Sequence, residues 1–336
     1  MKKELHIGII GCGAVAQIIH LPILKRMAGI KIKAICDVDK RKILAIKEKY
    51  GIESAYTDLK KFFVENEFDA VMILTPTNTH KEIAEISAEY CKSLFIEKPV
   101  ARTYKETEEL RKFLEKKNVN VMVGFNMRFR PDAMLMKSLV EAKEFGEPYL
   151  VRVGWFRPRS STQSWFVNKS YAGGGVIMDL AINIVDLAMW MLNYPDIYSV
   201  TAYNFYHTTK NVEDSSTAMI KTKTDQVINF EVSWVLSNEN EFFYFNLFGK
   251  EGVGLLNPLR VFKQVGTSQM ELMDHHRTTS ANLYLKSYEN ELKHFFAAVN
   301  GLGKWVSTIN EASARMRLIE AIYKSAQTNK EIKLST

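Results

Sequence analysis

The sequence has little cysteine and no long apolar run. Its three cysteines, Cys12, Cys36 and Cys91, show no Cys-x-x-Cys spacing, which argues against a disulfide framework and against a zinc site. No uncharged apolar stretch reaches the roughly 18 residues of a membrane helix. Residues 1–4 lead directly into an apolar strand, without a signal-peptide pattern. We therefore expect a cytoplasmic protein with reduced thiols, no metal site and no membrane partner.

Charge of one sign is not concentrated in any segment. The formal net charge of +7 comes from 45 basic and 38 acidic residues, and the two signs mingle in segments such as 40–49 and 112–117. That mixture is typical of solvated helix faces, so we expect no nucleic-acid partner. The small basic excess favours anionic ligands such as a sugar phosphate or a nucleotide sugar. A chain of 336 residues with 46% apolar content predicts two domains.

The first third of the chain alternates short apolar strands with helical periods. This order predicts an α/β domain over residues 1–124, a doubly wound parallel sheet with helices on both faces. The predicted strands are 5–10, 30–36, 70–74, 93–96 and 120–124, and the predicted helices are 14–27, 40–50, 80–90 and 104–116.

From residue 149 onward the stretches become longer, alternating and rich in aromatic and β-branched residues. We predict a second α/β domain over residues 125–336 with a large open, mostly antiparallel sheet. Helices would cover one face and a second subunit the other, which predicts a homodimer or homotetramer. The predicted strands are 149–156, 197–205, 215–221, 227–235, 242–248 and 253–256, and the helices are 134–143, 177–192, 284–299 and 310–327.

The segment 11–16 joins the first strand to the first helix and matches Gly-x-Gly-x-x-Ala. In a dinucleotide-binding loop, Gly11 allows the tight turn, Gly13 lets the backbone approach the diphosphate, and Ala16 permits close helix packing. The first helical residues, Ala14 and Val15, would present N–H groups to the anion. Glycines also make ordinary turns, so the strands on either side of the loop strengthen this interpretation.

Asp37 ends the second strand, at the position where a carboxylate can bind the adenosine ribose hydroxyls. It would repel a 2′-phosphate, so NAD is favoured over NADP, although Lys40 and Arg41 are near enough to reach a phosphate. Alternatively, Asp37 only caps the helix that begins near Asp39.

Two further motifs contain polar side chains that are candidates for a ligand site. Glu97, Lys98 and Pro99 follow a strand and place a lysine at the carboxyl edge of the parallel sheet, where ligands bind in such folds. Asp179, Asn183 and Asp186 are spaced four and three residues apart, so they share one stripe of an otherwise apolar helix. Buried polar groups need partners. The stripe therefore faces either a ligand site or a structural network between domains.

Arg128, Arg157 and Trp165 are candidate substrate contacts that precede this helix. Arginine suits a carboxylate or phosphate, and tryptophan suits the apolar face of a sugar. A surface arginine or a core tryptophan explains each of them equally well.

Taken together, these motifs resemble the Gfo/Idh/MocA family of oxidoreductases. The resemblance covers nearly the whole chain and rests on the glycine loop, the segment 75–80, the Glu97-Lys98-Pro99 triplet, residues 124–131, the triple glycine 173–175 with Asp179, and residues 288–292. It implies an amino-terminal Rossmann domain, a nicotinamide cofactor and a sugar or cyclitol substrate. It also implies cofactor contacts from Thr75, Asn78, His80, Glu97 and Lys98.

The same resemblance assigns the catalytic lysine to Lys98 and the substrate-site carboxylate to Asp179. Many members of the family carry a proton-exchanging histidine four residues after that aspartate, where this chain has Asn183. An amide binds a hydroxyl but exchanges no proton near neutral pH. Lys98 is the first substitute for that role, Asp179 the second and His80 the third. For His80, a structural role as a helix-start residue near the nicotinamide is favoured over catalysis.

We therefore predict an NAD(P)-dependent oxidoreductase, with NAD preferred. It would move a hydride between the nicotinamide and a secondary alcohol or ketone of a sugar or cyclitol, using Lys98, Asp179 and Asn183. The loss of the histidine leaves two alternatives. One is a non-redox dinucleotide-binding sensor or regulatory protein, and the other is a hydrolase or lyase that uses NAD transiently.

Overall fold

A computed structural model describes residues 4–235, 241–266, 268–275 and 280–334. The chain forms two compact units. Unit 1 contains Met1–Phe125 and Tyr288–Ser313, and unit 2 contains Asn126–Ser287 and Ala314–Thr336. Residues 288–313 therefore pack with unit 1, whereas the division of the sequence at residue 124 assigned them to the second domain.

Unit 1 is built on a six-stranded parallel sheet in the order β3-β2-β1-β4-β5-β6. The order reverses between β1 and β4, the switch point of a doubly wound fold. The predicted parallel sheet is thereby confirmed. Its elements are β1 Leu5–Ile10, a π-helical turn Ala16–His20, α1 Leu21–Leu24, β2 Ile30–Cys36, α2 Lys40–Tyr50, β3 Ser54–Tyr56, α3 Leu59–Val64, β4 Ala70–Ile73, α4 Thr77–Ser87, β5 Ser93–Ile96, α5 Tyr104–Lys116 and β6 Asn120–Val123.

Local sequence explains most of these boundaries. All residues of β1 except His6 are buried, as expected for a parallel strand covered on both faces. Helix α2 begins at Asp39, whose side chain accepts from the Lys42 N–H, and ends at Gly51 with a φ of +64°. The sequence interpretation missed β3 and α3, since a three-residue edge strand carries no alternating pattern.

Unit 2 is built on a nine-stranded sheet in the order β14-β13-β12-β11-β7-β10-β9-β8-β15. Among the strands that the structure describes in this sheet, β7 and β10 pair in parallel and the other neighbours pair antiparallel, which confirms a mostly antiparallel sheet. The elements are a 3₁₀ turn Asn126–Phe129, α6 Pro131–Glu141, β7 Pro148–Phe156, a 3₁₀ turn Ser164–Val167, α7 Lys169–Ala172, a π-helical turn Ile177–Ala181, α8 Ile182–Met191, β8 Ile197–Phe205, β9 Ser215–Thr222, β10 Val227–Ser233, β11 Phe242–Gly249, β12 Gly252–Leu256, β13 Leu259–Val265, β14 Ser268–His275, α9 Ser280–Val299, α10 Ile309–Thr328 and β15 Ile332–Lys333.

One face of this sheet is covered by helix, and along β9 the other face is exposed among the described residues. Helix α8 packs against β7 and β10. Along β9, Ser216, Ala218 and Ile220 are buried, whereas Thr217 and Met219 between them are exposed. The stretch Lys169–Met191 is long and apolar enough to cross a bilayer, but 94% of its most apolar window is buried in the fold. It is therefore the core helical segment of unit 2.

Strands β13, β14 and β15 were not predicted from the sequence. Arg260 and Lys263 interrupt the apolar alternation of β13, and both pair with carboxylates on neighbouring segments. Outer strands of a sheet tolerate such charges because one edge or face meets solvent. The apolar signal that identifies inner strands is therefore weak in this part of the chain.

Candidate active site

The two glycines of the loop, Gly11 and Gly13, have different surroundings. Gly11 has a φ of +94°, and a Cβ there would lie 2.6 Å from the Leu74 carbonyl carbon. A Cβ on Gly13 would meet no atom within 4 Å. Ala16 is fully buried, as its packing role requires. The fold thus requires Gly11, while the bare Gly13 backbone and the free N–H groups of the first helical turn fit a diphosphate.

Asp37 connects the end of β2 to this loop. Its Oδ2 accepts from the Cys12 N–H at 2.7 Å, and its Oδ1 accepts from the Asp39 N–H at 2.9 Å. Lys42 Nζ lies 3.3 Å from the same Oδ1. Asp39, not Asp37, caps α2, so the alternative interpretation of Asp37 as the helix cap is wrong. Ribose binding by Asp37 stays a prediction.

The thiol of Cys12 lies inside the glycine loop and is buried. Burial and the nearby Asp37 carboxylate raise its pKa to about 12. Burial also raises the pKa of Cys36 to about 12. Both side chains are therefore neutral packing groups, because the thiolate is the reactive form of cysteine.

His80, near the start of α4, contacts two backbone carbonyls, one in the turn after β4 and one after β5. Its Nε2 lies 2.7 Å from Thr75 O, its Nδ1 lies 2.8 Å from Pro99 O, and the residue is 1% exposed. Burial lowers the pKa of His80 although both carbonyls oppose that shift. A neutral imidazole has one N–H, so the tautomer decides which of the two carbonyls accepts it. Cofactor contact and proton exchange by His80 stay predictions. Cofactor contacts by Thr75 and Asn78 stay predictions.

Lys98 follows β5 and is positioned through its neighbour Glu97. The Lys98 N–H donates to Glu97 Oε2 at 3.1 Å, and Glu97 Oε1 lies 2.7 Å from Nε2 of the fully buried His20. Burial raises the pKa of Glu97, but His20 and Lys98 lower it further, so it lies below its ordinary value. Both carboxylate oxygens are used within unit 1. Glu97 therefore positions the Lys98 backbone, and its predicted cofactor contact stays a prediction.

His20 was missed by the sequence interpretation. It lies among Ile19, Leu21 and Ile23, so its only sequence signal is a polar residue within an apolar helical run. Its partner Glu97 is 77 residues away, and no local periodicity reports that contact. The structure identifies it as the second member of the group that fixes Lys98.

Asp179 is the centre of the polar group in unit 2. The Ser160 hydroxyl lies 2.9 and 2.8 Å from its two carboxylate oxygens, and the Trp234 indole N–H donates to Oδ2 at 3.1 Å. Asn183 Nδ2 donates to the Asp179 backbone carbonyl at 2.6 Å. Asp179 and Asn183 are each 4% exposed. The predicted pair is therefore adjacent, and one amide proton of Asn183 is bonded within the helix.

Ser160 and Trp234 were not predicted as site residues. Trp234 directly follows β10, in which Ile228, Phe230 and Val232 face the core. This alternation could have placed Trp234 on the helix-covered face. Ser160 lies in an irregular segment, for which periodicity gives no orientation.

Arg128 and Asp186 form a buried ion pair. Arg128 Nε lies 2.6 Å from Asp186 Oδ2, and Arg315 Nη1 lies 2.6 Å from Asp186 Oδ1. The Tyr194 hydroxyl donates to the same carboxylate at 2.7 Å. Arg128 is 2% exposed and its guanidinium is bonded within this network, so substrate contact by Arg128 stays a prediction. Asp186 belongs to a structural network, and this network lies within unit 2.

Trp165 is joined to Asp179 through aromatic contacts. Its ring packs edge-on against Phe166 at 5.4 Å, and Phe166 lies 5.8 Å from Trp234, which binds Asp179. Trp165 keeps part of its ring exposed, as stacking on a sugar requires.

Arg157 contacts a different group of side chains. Its guanidinium lies over the Trp155 ring at 5.8 Å, and Nη1 is 3.7 Å from Glu241 Oε2. The structure therefore brings Trp165, Asp179 and Asn183 together without placing Arg157 in the same hydrogen-bonded group. Substrate contact by Arg157 stays a prediction.

The parallel sheet with its switch point, the Gly-x-Gly-x-x-Ala loop and the acidic residue ending β2 define a Rossmann-type dinucleotide-binding protein. Residues 5–125 match the family model described as "Oxidoreductase family, NAD-binding Rossmann fold", and residues 134–253 match the GFO/IDH/MocA C-terminal domain. The chain belongs to the GFO/IDH/MocA family and is an NAD-dependent oxidoreductase.

Similar proteins span the full chain. D-glucoside 3-dehydrogenase of Escherichia coli (strain K12) is 26% identical, covering 99% of this chain and 98% of that protein. Inositol 2-dehydrogenase of Rhizobium meliloti (strain 1021) is 24% identical, covering 98% of each. The solved structure of levoglucosan dehydrogenase with NADH and levoglucosan has a TM-score of 0.87 at 23% identity, covering 99% of this chain and 100% of that one. At this identity the structural likeness establishes the fold.

Proposed function

We propose that this protein oxidises a secondary alcohol of a sugar or cyclitol, or reduces the corresponding ketone, with NAD as its cofactor. The observation that carries the proposal is the fixed position of Lys98 at the end of β5. Glu97 binds the Lys98 N–H and is itself bound by buried His20. Two relatives similar over their full length are named glucoside and inositol dehydrogenases, which supports the substrate class.

The residues that would hold the cofactor surround the switch point of the sheet. Gly11, Gly13, Ala14 and Val15 would bind the diphosphate, and Asp37 would bind the adenosine ribose. The open space at Gly13 is the observation that fits the group. NAD bound there supplies a hydride acceptor, or a hydride donor when reduced. The chain's own residues orient the substrate and handle the hydroxyl.

Each substrate-handling residue has a separate task in this proposal. The Lys98 ammonium holds the reacting oxygen and stabilises the negative charge that grows on it. The Asp179 carboxylate, oriented by Ser160 and Trp234, accepts hydrogen bonds from substrate hydroxyls. Asn183 fixes a neighbouring hydroxyl through the part of its amide not bonded to the helix. Trp165 covers an apolar face of the sugar ring.

A substrate panel tests this function. The purified protein is incubated with NAD⁺ or NADP⁺ and with sugars, cyclitols, sugar phosphates and nucleotide sugars, and reduced nicotinamide is followed by absorbance. We expect NAD⁺-dependent reduction with at least one polyol. Cofactor binding without turnover across the panel would contradict the proposal. It would favour a dinucleotide-binding sensor, for which Asn183 in place of a histidine is the supporting observation.

We also propose a homodimer or homotetramer assembled through the open face of the nine-stranded sheet, in the cytoplasm. Tyr203 and Met219 on this face are 54% and 53% exposed, which is high for large apolar residues. Light scattering should give a mass of two or four chains for the wild type and a smaller mass for Met219→Lys. Leu302→Lys changes an exposed residue in unit 1 and should leave the mass unchanged. A monomeric wild type would contradict the assembly.

A further inference from the structure

A histidine that the sequence interpretation did not consider stands beside a buried carboxylate in unit 2. His207 Nδ1 lies 2.9 Å from Asp214 Oδ1, and the side chains are 55% and 0% exposed. We propose that His207 exchanges the hydroxyl proton of the substrate and that Asp214 orients its ring, the task for which Asn183 is unsuited. This inference rests on the proposed function and names its acid–base group.

The surroundings of Asp214 favour its ionised form. Its Oδ2 accepts from the Thr208 and Thr209 N–H groups and, at 3.1 Å, from the Thr208 hydroxyl. Burial raises the pKa of Asp214, but these donors and His207 lower it further, so it lies below its ordinary value. A carboxylate facing Nδ1 keeps the proton of a neutral imidazole on that nitrogen. The lone pair is then on Nε2, the nitrogen directed away from Asp214.

The His207 loop joins β8 to β9 at the end of the sheet that also carries Trp234. The Asp214 N–H donates to Phe205 O at 3.0 Å, and the Trp234 N–H donates to Asp214 O at 2.8 Å. Ser215 of β9 pairs with Ser233 of β10, and Asp214 and Trp234 are the next opposed residues, just outside the same two strands. Residues paired in this way direct their side chains to the same face of the sheet, about 4.5–5.5 Å apart at Cβ.

Trp234 also connects this position to the predicted substrate carboxylate. Its indole N–H donates to Asp179 Oδ2 at 3.1 Å. The residue next to Asp214 adds a second connection, because Glu213 Oε1 accepts from Gly175 and Ile177 N–H at 2.9 and 3.0 Å. These two residues begin the helical segment that carries Asp179. Asp214 and Asp179 are therefore connected within unit 2 through Trp234 and through Glu213.

The aromatic and acidic groups next to His207 each have contacts of their own among the described residues. Phe205 stacks on the His207 ring at 5.8 Å and fixes its plane. Glu213 turns away to Gly175 and to the Tyr323 hydroxyl. Burial and Glu213 raise the pKa of the neighbouring Tyr206, which stays neutral. Among the residues that the structure describes, Asp214 is the titratable group in hydrogen-bond contact with His207.

The proposed proton step conserves atoms and electrons. During alcohol oxidation the substrate O–H bond breaks and an Nε2–H bond forms on His207. Oxidised NAD, when bound, would accept the C–H bonding pair as hydride, and the electron pair left on the oxygen would become the second C–O bond. Because His207 is exposed, the imidazolium then releases its proton to water. Ketone reduction runs the same transfers in reverse.

Activity and pH dependence test the proposal on the substrate that the panel identifies. His207→Gln should lower kcat by about 10²–10³-fold with a small change in KM, and should remove the limb of the pH–rate profile assigned to histidine. Asp214→Asn should also lower kcat, because the ring loses the carboxylate that orients it. Free imidazole should partly rescue His207→Ala. His6→Gln, which removes a histidine facing Glu4 in unit 1, should change none of these.

A spectroscopic measurement adds a readout independent of turnover. Nitrogen NMR of the histidine-labelled protein should show the neutral His207 ring with its proton on Nδ1, and Asp214→Asn should abolish that preference. A mixed tautomer in the wild type would overturn the proposal.

The outcomes separate this inference from the proposed function. If the wild type turns over and His207→Gln keeps its rate or its pH profile, the histidine proposal is overturned and the oxidoreductase stands. If the wild type turns over no polyol in the panel, the proposed function fails and the catalytic role of His207 fails with it. If His207→Gln loses rate and also loses the histidine limb of the pH–rate profile, the result supports both the oxidoreductase function and the catalytic role of His207.

Discussion

Asp186 is bound through both carboxylate oxygens by Arg128, at 2.6 Å from Nε to Oδ2 and 2.5 Å from Nη2 to Oδ1. Asp186 is 0% and Arg128 is 2% exposed, and Arg315 adds a second guanidinium. A buried pair of this kind contributes little net stability compared with an apolar replacement, but breaking it leaves an unpaired buried charge. The contribution of this ion pair to stability is therefore best measured by substituting one of its residues.

Asp186→Asn should lower the free energy of unfolding by roughly 3–5 kcal/mol, because two buried guanidinium groups lose their counter-charge. Urea denaturation at neutral pH measures the change. Asp225→Asn, in an exposed pair with Lys221, should change stability by less than about 1 kcal/mol. Equal effects of the two substitutions would show that the buried network contributes no more than a surface pair.

Acid should destabilise the wild type through the same carboxylate. The pKa of Asp186 is lowered in the folded protein, chiefly because the two arginines outweigh the effect of burial. Its contribution is therefore present above the unfolded pKa of about 3.9 and is lost as pH falls through the lower folded value. Denaturation midpoints measured from pH 7 downward should fall more steeply for the wild type than for Asp186→Asn. Parallel curves would contradict this assignment.

Gly11 and Gly13 should respond differently to alanine. Gly11→Ala places a Cβ on a residue with a positive φ and brings it against the Leu74 carbonyl. We therefore expect at least about 2 kcal/mol of destabilisation. Gly13→Ala adds a Cβ in open space, so the melting temperature should be unchanged while NAD affinity falls at least about tenfold. Calorimetry and cofactor titration separate the two effects. An unchanged NAD affinity in Gly13→Ala would place the diphosphate elsewhere.

Asp37→Asn should reduce the preference for NAD over NADP. The amide oxygen can still accept from the Cys12 N–H, although the Asp39 N–H loses its Oδ1 acceptor. The negative charge that repels a 2′-phosphate is removed. We expect the ratio of the two dissociation constants to shift at least about tenfold toward NADP. Asp39→Asn keeps a good helix cap and serves as the control, with an unchanged ratio.

The sequence predicts those features that depend on residues close to one another in the chain. Gly11 and Gly13 were identified because the turn and the anion site depend on a few adjacent residues, and the bounds of α2 and α5 match the prediction because caps and periodicity act over short distances. Buried strands were found for the same reason. Sequence spacing also placed Asp179, Asn183 and Asp186 on one helical stripe.

Sequence spacing could not show what each polar side chain contacts. Asp186 meets Arg128 and Arg315, which are 58 and 129 residues away, and His20 meets Glu97 at a separation of 77. His207 and Asp214 are closer in sequence, but a loop has no periodicity that orients their side chains. Family resemblance directed attention to Asn183, where a histidine was missing, and the fold revealed another histidine elsewhere in unit 2.

The most direct test of the central claim concerns Lys98. On the best substrate of the panel, Lys98→Met should lower kcat by at least about 10³-fold while the dissociation constant for NAD and the melting temperature stay near their wild-type values. That result would show that the lysine fixed by Glu97 and His20 acts on the reacting oxygen. A Lys98→Met protein with the full wild-type rate would contradict the account.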